Sequence, residues 1–263
     1  MAVSEATMRE WAEVISENDF HEELINPNNG RSDAEMLARL MRAEEDNLDA
    51  LAGVAQELLN RKRYRSVFGG DEMTWDTIGN YSTPWGSWRE VIYADGQFSP
   101  IKVGDGAYNN HLANPMEIKA GENVATAPIT SAWAKACELA YELTTMNTMY
   151  KSRINESTLV NDQLFHRGIG RLSIEAQNAL REIFDMEPGQ DFSTVHGQQR
   201  DSGSFGGMFR HSILILGGTV FFNEDDATNG NDICNNFIPK TGVGGENNTG
   251  IATQTASDFI DFL

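Results

Sequence analysis

The chain has 263 residues, of which 40% are hydrophobic, and its 39 acidic and 20 basic side chains give a formal net charge of −19 at pH 7. This length and hydrophobic content predict a globular protein that buries a core without disulfides, and they exclude an intrinsically disordered chain. The acidic excess disfavours binding to nucleic acids or to anionic membrane surfaces, because phosphate recognition needs clustered Lys and Arg.

The sequence lacks the signals of membrane insertion and secretion. No stretch approaches the roughly 18 apolar residues of a membrane span, and the N-terminus has no basic and apolar regions typical of a secretory signal. We therefore expect synthesis in the cytoplasm without a signal peptide. Two cysteines, Cys137 and Cys234, do not make a disulfide framework, and no Cys or His pair has zinc-ligand spacing. The sequence predicts neither a cofactor nor a metal.

Helical periodicity dominates the first two thirds of the chain. Residues 1–20 predict an amphipathic helix, and a turn-rich linker follows at 26–32. Ser32 or Asp33 would cap a long helix that begins near Ala34. A core helix is expected after the acidic turn 44–47. Further helices are predicted at 87–93, 131–146 and 171–184, with irregular segments at 64–87, 99–128 and 187–210.

The C-terminal third predicts a small β element and a tail. The apolar runs 213–216 and 219–222 flank Gly217-Gly218, which is typical of a β-hairpin. From Asn223 onward the chain is rich in Asn, Gly, Asp and Thr, as in an extended tail. The fold class predicted is α+β and mostly α. We predict an N-terminal helix and linker at 1–32, a main domain at 33–222 and a C-terminal tail at 223–263.

Glu44 is the candidate catalytic residue. It follows the apolar face of the helix that begins near Ala34, so it should lie at the C-terminal end of a buried helix. A partly desolvated carboxyl there would have a raised pKa, as a general acid for glycosidic cleavage requires. The alternative is a solvated acidic turn that Glu44 forms with Glu45 and Asp46.

Three motifs follow one another along the chain: Leu37-Ala38-Arg39 through Ala43-Glu44, Ala52-Gly53-Val54-Ala55 through Leu58-Leu59-Asn60-Arg61, and Val91-Ile92-Tyr93 followed by Gly96-Gln97-Phe98-Ser99-Pro100. They resemble, in order, three motifs of the SleB-like cell-wall hydrolases, the family of the spore-cortex-lytic enzyme: a helix ending in Gly-Glu-Ala, a helix ending in Leu-Asn-Arg, and a Gly-Gln-Phe-Ser motif. A fourth block at 217–222 is similar to the family's closing strand, with Thr219 in place of its His. The resemblance covers about 33–222, with insertions near 67–86 and 168–210.

The chain departs from the family pattern close to Glu44. Arg42 stands where the family usually has an aromatic residue, and Glu45 and Asp46 replace Ala-Arg. The family's Tyr-Phe-Tyr-Asn-like strand matches either 164–166 or 221–223. These departures leave the walls of the substrate cleft less defined than the acid.

The resemblance implies a lysozyme-like, lytic-transglycosylase-like helical domain that cleaves the β-1,4 bond between N-acetylmuramic acid and N-acetylglucosamine. Glu44 would be the general acid and base, and the muramoyl C6 hydroxyl would attack C1 to give a 1,6-anhydro product. Unlike most glycosidases, such an enzyme needs no second carboxylate. The expected substrate-binding residues are Gln97, Phe98, Ser99 and Tyr93, where Phe98 would either stack on a sugar or anchor its turn. Candidate second acids, should the enzyme be a muramidase, are Glu45, Asp46, Asp49 and Asp95.

The expected substrate is the glycan strand of peptidoglycan, so the protein would act at the bacterial cell wall. A chain without an export signal could be carried in a phage virion, which makes a virion-associated lysin the favoured context. The alternative is a hydrolase-like protein that has lost activity and serves as a structural component of a virion or another assembly. Both hypotheses, the active lysin and the inactive structural protein, allow virion or assembly partners.

Overall fold

The computed structural model describes residues 3–63, 87–93, 98, 100–101, 108–145, 165–172, 174–205 and 209–222. It contains both helices and a small antiparallel sheet, and helices account for most of the regular structure. The chain divides into two compact units: Met1–Lys62 with Trp85–Ser157, and Arg63–Pro84 with Thr158–Leu263. The predicted domain limits 1–32, 33–222 and 223–263 stay predictions. The predicted insertion at 67–86 and the predicted tail lie outside the described residues.

The first unit is built from helices whose starts carry clear capping signals. Ser32 caps the long second helix, because its Oγ accepts a hydrogen bond from Glu35 N at 3.1 Å. Ser87 and Glu90 form a capping box at the fourth helix. The helices are α1 (Glu5–Glu10), α2 (Asp33–Glu44), α3 (Leu48–Arg63), α4 (Trp88–Ile92), α5 (Asn110–Ala113) and α6 (Ser131–Thr145), with a π-helical turn at His21–Ile25. The helices predicted after residue 33, after the acidic turn, at 87–93 and at 131–146 are confirmed.

The predicted helix at 1–20 is wrong in length, because α1 ends at Glu10. Beyond it, Ile15 N donates a hydrogen bond to Ala113 O at 3.0 Å. The Trp133 indole on α6 also donates to Met8 O at 2.9 Å. These tertiary contacts outweigh the helical periodicity and hold the segment against the rest of the first unit, with Met8 and Ile15 buried.

The core of the first unit forms around α2, which packs mainly on α6 and also contacts α4 and α5. Burial raises the pKa of the Cys137 thiol on α6, as befits a small apolar core residue. The α2 helix also carries two buried arginines, Arg39 and Arg42. No helix among the described residues is long and apolar enough to cross a membrane.

The second unit contains a four-stranded antiparallel sheet in the order β1-β4-β3-β2. The strands are β1 (Phe165–Gly168), β2 (Gln199–Phe205), β3 (Phe209–Leu216) and β4 (Thr219–Phe222), accompanied by α7 (Ile174–Ile183) and short 3₁₀ turns at Ile169–Arg171 and Phe192–Val195. One apolar core joins sheet and helix, and its members are Ile169, Leu172, Leu180, Phe184, Phe192, Val195, Ile213, Ile215 and Val220. The helix predicted at 171–184 is therefore confirmed, with a later start.

The predicted hairpin is confirmed as β3 and β4. Its turn residues Gly217 and Gly218 have φ of 55° and 84°, the two positive values that a type I′ turn requires. The prediction of a loop over 187–210 is wrong in part, because β2 pairs with β3 despite its polar composition. Strand β2 is held by backbone hydrogen bonds to the apolar strand β3, and such pairing leaves no periodic pattern in the side chains of β2. The described parts of both candidates for the family's aromatic strand, 165–166 and 221–222, lie in strands that pair with each other through Phe165 and Phe222.

Candidate functional site

Glu44 is the last residue of α2 and is half-buried. The helix ends because Glu45 turns into an extended conformation, while its N–H still donates to Met41 O at 3.0 Å. Because α2 is capped at Ser32 and buried along its length, the position of its final turn is well determined. The expected location of Glu44, at the end of a buried helix, is confirmed.

The turn from α2 to α3 is ordered by its own side chains. Glu45 Oε1 accepts hydrogen bonds from Asp46 N and Asn47 N, both at 2.9 Å. Asn47 Oδ1 then accepts from Asp49 N at 3.0 Å and Ala50 N at 3.3 Å, which caps α3. Glu45, one of the candidate second acids, therefore belongs to the helix connection, and Asp49, another, lies in the first turn of α3. Asp95, another candidate, lies outside the described residues.

A cluster of four charged or titratable side chains lies next to this turn; we call Arg42, Asp46, Glu117 and His111 the Arg42 cluster. Arg42 is only 3% exposed, and its Nε donates to Pro115 O at 3.2 Å. Its Nη1 contacts Asp46, and its Nη2 lies 3.3 Å from Glu117 Oε1. His111 Nδ1 lies 3.9 Å from a carboxylate oxygen of each acid. Burial lowers the pKa of Arg42, and Glu117 and Glu45 oppose that shift.

Sequence reasoning missed His111 and Glu117. The spacing of Arg42 and Asp46 by four residues is a sequence signal for their ion pair. Nothing local connects either residue to Glu117, which lies in a distant turn and adopts a φ of 57°.

Tyr93, a predicted substrate-binding residue, follows α4 and is 9% exposed. Its hydroxyl donates to Leu24 O at 2.9 Å and accepts from Asn29 Nδ2 at 2.7 Å. Asn29 in turn accepts a hydrogen bond from Arg89 Nη1 at 2.9 Å. Burial raises the pKa of Tyr93 to about 12. The hydroxyl thus joins α4 to the segment that precedes α2.

Phe98 is 3% exposed and forms an isolated β-bridge with Ile101. The Arg61 guanidinium lies 4.6 Å from the centre of its ring, and Glu57 holds that guanidinium at 2.8 Å. The sequence left open whether Phe98 stacks on a sugar or anchors its turn, and its burial favours the second role. The neighbouring predicted residues Gln97 and Ser99 lie outside the described residues.

A second ion network, unforeseen from the sequence, joins the start of α2 to the preceding segment. Glu35 Oε1 accepts from Arg31 Nη1 at 2.6 Å and from Arg39 Nε at 3.0 Å. Arg39 is fully buried and also donates to Leu112 O at 2.9 Å and Glu13 O at 2.8 Å. An open groove of about 550 Å³ lies beside Arg31, and it is lined by Asp19, Glu22, Glu23, Asn26, Asn28, Asn29, Gly30 and Arg31.

Neither a protein-family model nor a curated protein nor a solved structure matches the chain. Within the described part of the chain, no group of three or more His, Cys, Asp or Glu side chains is placed to hold a metal ion. Chemistry at this site is therefore inferred from Glu44 and the residues around it.

Proposed function

We propose that the protein is a peptidoglycan-cleaving glycosidase with a lytic-transglycosylase-like domain, in which Glu44 is the general acid and base. The observation that carries the proposal is the half-buried position of Glu44 at the end of a fixed, buried helix. Such a carboxyl is partly removed from water and still reachable by a substrate. The C-terminal end of a helix also disfavours a negative charge, which suits a residue that must hold a proton.

In the proposed reaction the Glu44 carboxyl donates its proton to the glycosidic oxygen, and the bond from that oxygen to C1 of the muramoyl residue breaks. The resulting carboxylate then accepts the proton of the C6 hydroxyl as its oxygen bonds to C1, so the product is a 1,6-anhydro sugar and Glu44 is restored. The two carboxylates that follow Glu44 are both engaged, because Asp46 pairs with Arg42 and Glu45 accepts two backbone hydrogen bonds. This supports a reaction that uses a single acid. A glycosidase of the two-acid type would need a second carboxyl on the opposite side of the bond.

The substrate is the glycan strand of the bacterial cell wall, and a carrier such as a phage particle brings the enzyme there. The motif order along 33–222, which resembles that of SleB-like hydrolases, supports the substrate class. The net charge of −19 supports the delivery, since an acidic enzyme gains no long-range attraction to anionic wall polymers.

The test is digestion of purified sacculi, with the products identified by mass spectrometry. The wild-type chain should release muropeptides that lack one water, whereas a muramidase would release the hydrated form. Glu44→Gln should abolish release and leave the circular dichroism spectrum unchanged. The matched control is Glu45→Gln, one residue further along, which should keep most of the activity. Full activity in Glu44→Gln would overturn the assignment.

A second candidate function is an inactive, hydrolase-like component of a virion or another assembly. Two predicted substrate-binding side chains favour it, because the Tyr93 hydroxyl and the Phe98 ring are both engaged inside the protein. This candidate predicts that the wild-type chain sediments with sacculi or with assembly partners and releases no soluble product.

A further inference from the structure

Arg42 joins three parts of the first unit through one buried guanidinium. The residue lies in the last turn of α2, its Nη1 reaches Asp46 in the α2–α3 turn, and its Nε and Nη2 reach Pro115 O and Glu117. A guanidinium that is only 3% exposed strongly favours conformations in which its partners stay in place. The segment between Arg42 and Asp46 is therefore held at both ends, and Glu44 lies within it.

We propose that Arg42 is a positioning residue for Glu44, an inference that rests on the proposed function. Residues two apart on a helix lie on different faces, so Arg42 acts through the backbone of the turn and does not need to contact the acid. By fixing Asp46 and the Pro115 carbonyl, it sets where α2 stops and how the Glu44 carboxyl is presented. A displacement of about 1 Å in a catalytic group can lower the rate about a hundredfold.

The decisive experiment combines amide hydrogen exchange with steady-state kinetics on soluble glycan strands prepared from sacculi. Arg42→Met should speed exchange at the amides of Glu45 and Asp46, and lower kcat by about tenfold to a hundredfold with little change in KM. Arg42→Lys keeps the charge but not the forked geometry, so it should restore part of both losses.

Arg9→Met is the matched control. Arg9 also ties a helix to a distant loop through carbonyl groups, at Val124 and Ala127, but it lies in α1. This variant should leave turn exchange and kcat as in the wild type. Glu117→Gln serves if Arg42→Met fails to fold, since Glu117 is a half-exposed partner of Arg42. It should speed exchange at the amides of Glu45 and Asp46, by less than Arg42→Met does.

Unchanged exchange at the turn in a folded Arg42→Met variant, or in Glu117→Gln where Arg42→Met does not fold, would overturn the inference. Faster exchange with an unchanged kcat would overturn the positioning role alone. An inactive wild-type chain would overturn the catalytic role together with the proposed function. In that case the exchange data still decide whether Arg42 holds the turn, so the two failures are distinguishable.

Discussion

Replacing Tyr93 by Phe removes one hydroxyl and leaves the ring in place. That hydroxyl donates to the carbonyl of the buried Leu24 and accepts from the Asn29 amide, at 2.9 and 2.7 Å. A net loss of about 1 kcal/mol for each hydrogen bond, and a further penalty for the unpaired Leu24 carbonyl, gives a destabilisation of about 2–3 kcal/mol. The loss should appear in the unfolding of the first unit, which contains all three residues.

The destabilisation should shrink at alkaline pH. Burial raises the pKa of Tyr93 to about 12, whereas a tyrosine in an unfolded chain titrates near 10. The neutral hydroxyl therefore stabilises the fold fully below pH 10, and this contribution is lost as pH rises to about 12. A shift of about two units corresponds to at most about 2–3 kcal/mol, the size of the hydrogen-bond loss. Between pH 10 and pH 12 the wild type should thus lose its stability advantage over Tyr93→Phe, with about half of it gone by pH 11.

The assay is urea unfolding at several values between pH 7 and pH 11, followed by circular dichroism. Tyr108→Phe is the control, because Tyr108 is partly exposed and contacts Phe20 with its ring tilted. Its loss of a hydroxyl should change stability by less than about 0.5 kcal/mol. A difference between wild type and Tyr93→Phe that stays constant across this range would refute the reasoning. The reasoning would also be refuted if Tyr93→Phe were as stable as the wild type but no longer cleaved peptidoglycan, because that result would make Tyr93 a sugar-binding residue.

Two further predictions concern residues outside the Arg42 cluster. Arg39→Met should destabilise the first unit by about 3–5 kcal/mol in urea unfolding. The substitution leaves the buried Leu112 carbonyl without its donor and removes one of the ion pairs of Glu35. A loss below about 1 kcal/mol would contradict this prediction. In the second unit, Gly218→Val should cost about 1–2 kcal/mol because φ at this position is +84° and no atom would contact an added Cβ. Gly218→Asn should cost less, since Asn tolerates this conformation, and equal losses in the two variants would exclude backbone strain as the cause.

Local signals in the sequence were sufficient for the long helices and the hairpin. Ser32 lies immediately before an apolar helical pattern, and Ser87 precedes Glu90 at capping-box spacing, so both starts are encoded by neighbouring residues. The Gly217-Gly218 pair likewise specifies its turn without help from the rest of the fold. For the same reason, the location of Glu44 at a helix end was predictable.

The surroundings of Glu44 were not predictable, because they form from segments that are distant in the chain. Glu117 and His111 approach Arg42 only after α5 packs on α2, and neither carries a motif. The sequence predicted that Tyr93 binds substrate, yet the partners of its hydroxyl come from the segment before α2. A charged or hydroxyl side chain in a sequence does not reveal whether it faces solvent or another segment.

In the proposed function, the buried arginines bear on how the acidic chain would meet its anionic substrate. Arg39, Arg42 and Arg61 are held inside the first unit by carboxylates and carbonyl groups. These three guanidinium groups are thus committed to the fold and do not form a basic surface that could attract anionic wall polymers. The net charge of −19 acts at long range, and salt screens it only beyond about 8–10 Å. Under the proposed function, productive encounter would depend on short-range contacts near Glu44 and on a carrier that supplies the first approach. Because Arg39, Arg42 and Arg61 are committed to the fold, we propose delivery, rather than electrostatic capture, as the route to the wall.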